Sequence, residues 1–92
     1  MLYEWDDAKN EINIRKHGID FDDAKDIFEH PILTWPDNRE DYGEERWMAL
    51  GVIKTLAGVV IYTERDGDVV RIISARKATK FERKMYEQIL EN

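Results

Sequence analysis

Five side chains in the second half of this 92-residue chain, and one histidine in the first, have the chemistry to hold an oxyanion and move a proton beside it. Arg65, Arg71 and Arg76 fall within 12 positions of one another, with Lys77 adjoining. A guanidinium offers a rigid fork of donors that matches carboxylate or phosphate oxygens two at a time, whereas a lysine ammonium acts as a point charge. Arg71 interrupts the apolar run Val69-Val70-Arg71-Ile72-Ile73, so it must reach a partner or solvent. Arg65 sits beside a turn, where plain solubilising charge is the competing reading. Glu64 is the carboxylate placed to take a proton or orient Arg71, or else to form only a cross-strand ion pair. Histidine is the side-chain type suited to acid–base work near neutral pH, which makes His17 a candidate, yet just before Gly18 it could serve only to cap helix carbonyls. Tyr86 could stack on a nucleobase, or pack the last helix.

These residues must be positioned by the stretch from Val59 to Ala78. Val59-Val60-Ile61-Tyr62-Thr63 and Val69 to Ile73 are β-branched and aromatic, suited to a buried pleated surface. Asp66-Gly67 between them predicts a two-residue hairpin turn. That turn would pair Arg65 with Asp68, Glu64 with Val69 and Tyr62 with Arg71, placing Glu64, Tyr62 and Arg71 on one face.

The rest of the chain supplies supporting layers. Leu2-Tyr3-Glu4-Trp5 reads as a first strand, and Asp6 as the N-cap of a helix reaching His17, with Ala8 and Ile12 inward and Gly18 as its left-handed stop. Asp20 caps a second helix with Ala24, Ile27 and Phe28 buried, closed by Pro31. Ile32 to Trp35 is a short strand, and Asp37 to Glu45 an acid-rich loop expected to be mobile and solvated. Arg46 to Lys54 alternates, with Trp47, Ala49 and Ile53 on one side and Met48, Leu50 and Val52 on the other. Thr79 and Glu82 form a capping box for a last helix with a Phe81, Met85, Ile89 stripe. The predicted class is α+β: a small antiparallel sheet with two N-terminal helices and one C-terminal helix, in the order β-α-α-β-β-β-β-α, as one domain over residues 1–92.

Thr63-Glu64-Arg65, the run Arg71-Ile72-Ile73-Ser74-Ala75-Arg76-Lys77-Ala78, and then Glu82 and Tyr86 resemble the C-terminal signature of the BrnT family. Trp5-Asp6, Lys9, Asn13, Lys16-His17-Gly18, Phe21, Ala24, Phe28 and Gly43-Glu44-Glu45-Arg46 extend the resemblance to nearly the whole chain. The resemblance implies a RelE-like fold and a ribonuclease toxin of a type II toxin–antitoxin system. It further implies metal-free RNA cleavage by 2′-hydroxyl attack, neutralisation by a cognate BrnA-type antitoxin, and contact with DNA only through that antitoxin. Such cleavage needs the 2′-hydroxyl activated, the phosphorane oxygens stabilised and the leaving oxygen protonated. On that reading Arg71, Arg76, Glu64 and His17 are the catalytic set, and Arg65, Lys77 and Tyr86 hold substrate.

Composition narrows the rivals. There is no cysteine, so thiolate metal sites and cysteine nucleophiles are excluded, and two histidines 13 positions apart without further ligands predict no metal or cofactor. No apolar run approaches a membrane span, and a cytoplasmic protein without membrane partners is expected. The net charge of −6 argues against broad nucleic-acid affinity and against a direct DNA binder. The charge is uneven, however: residues 71–84 hold six cations against Glu82 alone, a patch that permits one focused site. It could equally attract an acidic segment of a partner, and a non-catalytic binding module is the rival class.

Overall fold

The computed structural model describes residues 1–90. Strand β1 (Leu2–Glu4) leads into helix α1 (Asp7–His17), then α2 (Phe21–Ala24), which tightens into a 3-10 turn over Lys25–Glu29. Strands β2 (Leu33–Pro36), β3 (Trp47–Ile53), β4 (Leu56–Arg65) and β5 (Val69–Lys77) follow, and α3 (Lys80–Leu90) closes the described chain. The order is the one read from the sequence. The five strands lie β1-β5-β4-β3-β2, with β2 through β5 antiparallel and β1 joining β5 in parallel, so the sheet is mixed.

Local chemistry sets the helix ends as expected. The Asp6 side chain accepts from the Lys9 amide at 3.1 Å, and Gly18 adopts φ 72°, which lets its N–H reach Ile14 O. Asp20 caps α2 through the Asp22 amide at 2.9 Å. Thr79 and Glu82 exchange the two bonds of a capping box, at 3.1 and 2.8 Å.

Two cores sandwich the sheet. Phe21, Ala24 and Ile27 pack on Ala49, Ile53, Val60, Tyr62, Val70, Ile72 and Ala75 on one face. Leu50, Val59 and Ile61 pack under Tyr86 of α3 on the other. The β3 alternation therefore divides as predicted. Phe21, buried completely, was absent from the expected stripe; burying such a ring contributes about 1.5–3 kcal/mol.

Four expectations are corrected. The hairpin turn holds three residues, because Arg65 pairs with Val69 rather than Asp68, and Gly67 supplies the positive φ of 73°. One extra loop residue reverses the face of everything beyond it: Arg71 now lies opposite Thr63, and Glu64 opposite Val70. Glu64 and Arg71 thus belong to opposite faces of the hairpin. The ladder then slips, with Tyr62 on Ile72 but Ile61 on Ser74, leaving Ile73 as a bulge.

The α1 stripe is the second correction. Ala8 is exposed and Ile12 is 51% exposed, while the one buried residue of the helix is Asn13. Its amide group donates to Ile19 O and Ala75 O, both at 2.9 Å, and accepts from the Ala75 N–H at 3.1 Å. Asn10 does the same for α2, donating to Asp20 and accepting from the Phe21 amide. Side-chain amides, rather than apolar contact, fasten α1 to its neighbours.

The acid-rich loop is the third correction. Asp37 is buried and accepts two bonds from the Arg39 guanidinium, at 2.7 and 2.9 Å. Arg46 stacks over the Tyr42 ring at 3.9 Å, and Thr63 donates to Glu45 O at 2.6 Å. Most of the loop is solvent-exposed, as expected; the unexpected feature is the buried carboxylate at its start, around which it folds. Last, α3 turns Tyr86 inward and leaves Phe81 76% and Ile89 57% exposed, because Tyr86 O–H donates to Pro31 O at 2.7 Å and Glu82 is held by Arg76.

Candidate active site

Strand β5 is the spine of the site. Register places Arg71, Ser74 and Arg76 against Thr63, Ile61 and Val59, so the two arginines share the α3 face of the sheet with Ser74 between them. Each arginine meets a carboxylate from elsewhere in the fold. Because β1 runs parallel to β5 with Glu4 beside Arg71, Arg71 Nη1 donates to Glu4 Oε2 at 2.7 Å. Glu4 therefore holds the place that sequence reasoning assigned to Glu64. A three-residue strand 67 positions away carries no local signal of such a partnership.

Arg76 is held by Glu82 through both nitrogens of its fork, at 2.8 and 3.0 Å, and also donates to Lys77 O at 3.2 Å. The guanidinium and the Thr79 amide together hold the Glu82 carboxyl far below its ordinary value, at about 2. Lys77 itself is exposed at the end of β5. Tyr86 lies in the core, 8% exposed with its hydroxyl on Pro31 O, so its ring is not open to a nucleobase. Aromatic packing at helical spacing won over stacking.

The remaining residues gather at two places. Glu64, Arg65 and Arg71 line an open cleft at the hairpin tip with Glu4, Asp66 and Val69. Glu64 lines this cleft together with Arg71 although the register sets the two on opposite faces of the hairpin. Arg65 faces Glu44 of the folded loop at 3.6 Å. Three carboxylates (Glu4, Glu64 and Asp66) therefore crowd this cleft with two arginines.

His17 arrives from the opposite layer. The last turn of α1 brings it over the free edge of β5, where it shares a smaller cleft with Ile73 and Ser74. Asn13 makes this possible, since its clamp on Ala75 sets how α1 meets the strand. Asn13 was named only as part of the family-like pattern, and its role was not read. A buried polar residue in a helix otherwise lacking an apolar stripe is the signal that could have found it. Along β5, His17 thus stands near Ser74, between Arg71 and Arg76. Among the described residues no group of three or more His, Asp or Glu side chains is arranged to hold a metal ion.

Comparison with known proteins gives two findings. A family model described as the ribonuclease toxin BrnT of a type II toxin–antitoxin system matches residues 5–82. Among solved structures, the 1.1 Å crystal structure of the Brucella abortus ribonuclease toxin BrnT superposes with a TM-score of 0.68 at 26% sequence identity, covering 87% of this chain and 100% of that one. No curated protein matches the chain in sequence.

Proposed function

The chain belongs to the BrnT family of ribonuclease toxins of type II toxin–antitoxin systems, and from that premise we propose that it cleaves RNA by metal-independent attack of a 2′-hydroxyl on the adjacent phosphate. The observation that carries this reading is the order along β5: arginine, a serine sharing a cleft with His17, then arginine. Arg71 and Arg76 engage the phosphate oxygens, and charge that builds there in the transition state strengthens their hold. His17 takes the 2′-hydroxyl proton as the new P–O bond forms. The P–O bond to the 5′-oxygen breaks, that oxygen takes a proton from solvent water while His17 returns its own to solvent, and a 2′,3′-cyclic phosphate remains.

His17 suits the proton better than Glu64, which stands at the hairpin tip beside Glu4 and Asp66. Glu64 is one of three carboxylates in the cleft that also holds Arg65 and Arg71, whereas the edge where His17 lies has no carboxylate among its lining residues. Arg65 and Lys77 extend the cationic contact along the strand. In the resting protein both arginines sit on carboxylates, so RNA phosphate must compete with Glu4 and Glu82 for them.

Family membership implies an antitoxin partner, for which a BrnA-type protein is the proposed identity. Its acidic side would cover residues 71–84, and DNA contact would come through it alone. The test incubates purified protein with RNA in EDTA, free and ribosome-bound, and analyses product ends by mass spectrometry. Cyclic phosphate ends at an EDTA-independent rate support the mechanism. Metal-dependent cleavage overturns metal independence, and absence of cleavage overturns the ribonuclease reading.

A further inference from the structure

Helix α1 presents an unusual face to the sheet. Lys9, Ile12, Asn13 and Lys16 recur at helical spacing on the side that meets β5, with His17 at the end of the same turn. A helix whose purpose is packing turns an apolar stripe inward. Here the stripe is two lysines around a buried asparagine, and Ile12 remains half exposed. Between this face and the bulged edge of β5 lies a cleft of about 170 Å³, lined also by Ile73 and Ser74. Its polar groups are two ammonium groups, an imidazole, a carboxamide and a hydroxyl. No carboxylate lines it, in a chain where 20 acids outnumber 14 lysines and arginines.

The charge in this cleft differs from that of five of the seven arginines. Arg39, Arg46, Arg65, Arg71 and Arg76 each sit within 4.0 Å of a carboxylate oxygen. Among the described residues, neither Lys9 nor Lys16 makes an ion pair. Lys16, in the last turn, does complement the helix dipole, but Lys9 lies in the first turn, where a cation is disfavoured. Its position is therefore not explained by helix stability. The bulge at Ile73 re-aims the strand edge here, setting Ser74 in the cleft.

We propose that the cleft between α1 and the bulged edge of β5 is a phosphate subsite for the RNA strand, with the Lys9 and Lys16 ammonium groups as its ligands. The proposal rests on the ribonuclease reading above. The subsite holds a phosphodiester neighbouring the scissile one, because His17 lines the same cleft. Lysine suits this task, which needs attraction along a flexible backbone and not the fixed fork required at the reacting phosphate.

The experiment measures binding of a fluorescent, fully 2′-O-methylated RNA oligonucleotide, which cannot be cleaved, over a salt series. Each phosphate contact on a single strand contributes about 0.7 to the slope of log K against log salt. Lys9→Ala/Lys16→Ala is expected to flatten that slope by about 1.4 and to keep the parent Tm, since both side chains are exposed. Arg15→Ala/Lys25→Ala removes the same charge elsewhere and is expected to leave the slope unchanged. An unchanged slope in the first variant, or equal flattening in both, overturns the subsite while RNA cleavage by the parent stands. A parent that neither binds nor cleaves RNA overturns the ribonuclease reading and the subsite together.

Discussion

Glu4 and Arg71, 67 positions apart, meet because β1 lies parallel to β5 with those two residues side by side, and Arg71 Nη1 donates to Glu4 Oε2 across 2.7 Å. The pair is partly exposed, with side chains 45% and 29% accessible. It occupies one nitrogen of a guanidinium that can present five N–H donors, so the fork keeps donors for a second anion.

Arg71→Ala and Arg76→Ala should each slow RNA cleavage by about 10²–10³-fold, the loss typical of one preorganised oxyanion contact. Arg→Lys should restore little at either place if bidentate geometry carries the effect. Glu4→Gln should instead strengthen RNA binding by about 1.4- to fivefold, because an exposed ion pair is worth roughly 0.2–1 kcal/mol. Single-turnover cleavage and anisotropy titrations check both. Folded arginine variants that cleave at the parent rate would remove these residues from the site.

Glu82 makes stability depend on acid. Its carboxyl titrates at about 2, below its ordinary value of 4.5, so the folded state favours the ionised form. The stabilisation is fully present above about pH 4.5 and is lost as pH falls through about 2. Glu82→Gln keeps the capping-box geometry and removes only the charge. The variant should melt below the parent at pH 7 by an amount worth on the order of 1–2 kcal/mol, and the gap should close toward pH 2. A gap independent of pH would mean that Arg76 gains nothing from the Glu82 charge.

Asn13→Ala should destabilise the protein by about 2–4 kcal/mol, since it orphans the buried N–H and C=O of Ala75 and a carbonyl at Ile19. Asn13→Asp keeps the acceptor but loses both donated bonds, and should be little better. Urea unfolding gives the magnitude. Hydrogen exchange at the Ala75 amide, faster in either variant, locates the loss at the clamp.

Asp37→Ala should release the loop that follows β2 without melting the sheet. The carboxyl is buried and held below its usual range chiefly by the Arg39 guanidinium, and Arg39 itself is largely exposed and can rehydrate. The global cost is therefore about 1–3 kcal/mol, with new protease cleavage between residues 38 and 46. Unchanged proteolysis would show that Tyr42, Arg46 and the Thr63 bond hold the loop by themselves.

Local chemistry was legible in the chain. Asp6, Gly18, Asp20 and the Thr79–Glu82 box end their helices as written, because a cap involves residues only a few positions apart. The alternation of β3 is likewise a property of adjacent residues, and so is Asp-Gly as the site of the hairpin turn. The number of residues in that turn was not legible. Adding Asp68 to it costs little in the loop, yet it exchanges the faces of Glu64 and Arg71, since side-chain direction has a period of two.

Tertiary structure alone decided which carboxylate Arg71 meets, because a three-residue strand carries too little pattern to announce its parallel pairing with β5. It also decided that Asp37 is buried and that Tyr86, not Phe81 or Ile89, faces the sheet. Helical periodicity marks an apolar stripe but not the rotation of the helix, which here follows two polar contacts, Arg76 with Glu82 and Tyr86 with Pro31. The polar face of α1 was visible in its residues. That it closes a cleft with His17 and Ser74 depends on the long-range bonds from Asn13 to Ala75, which no local preference encodes.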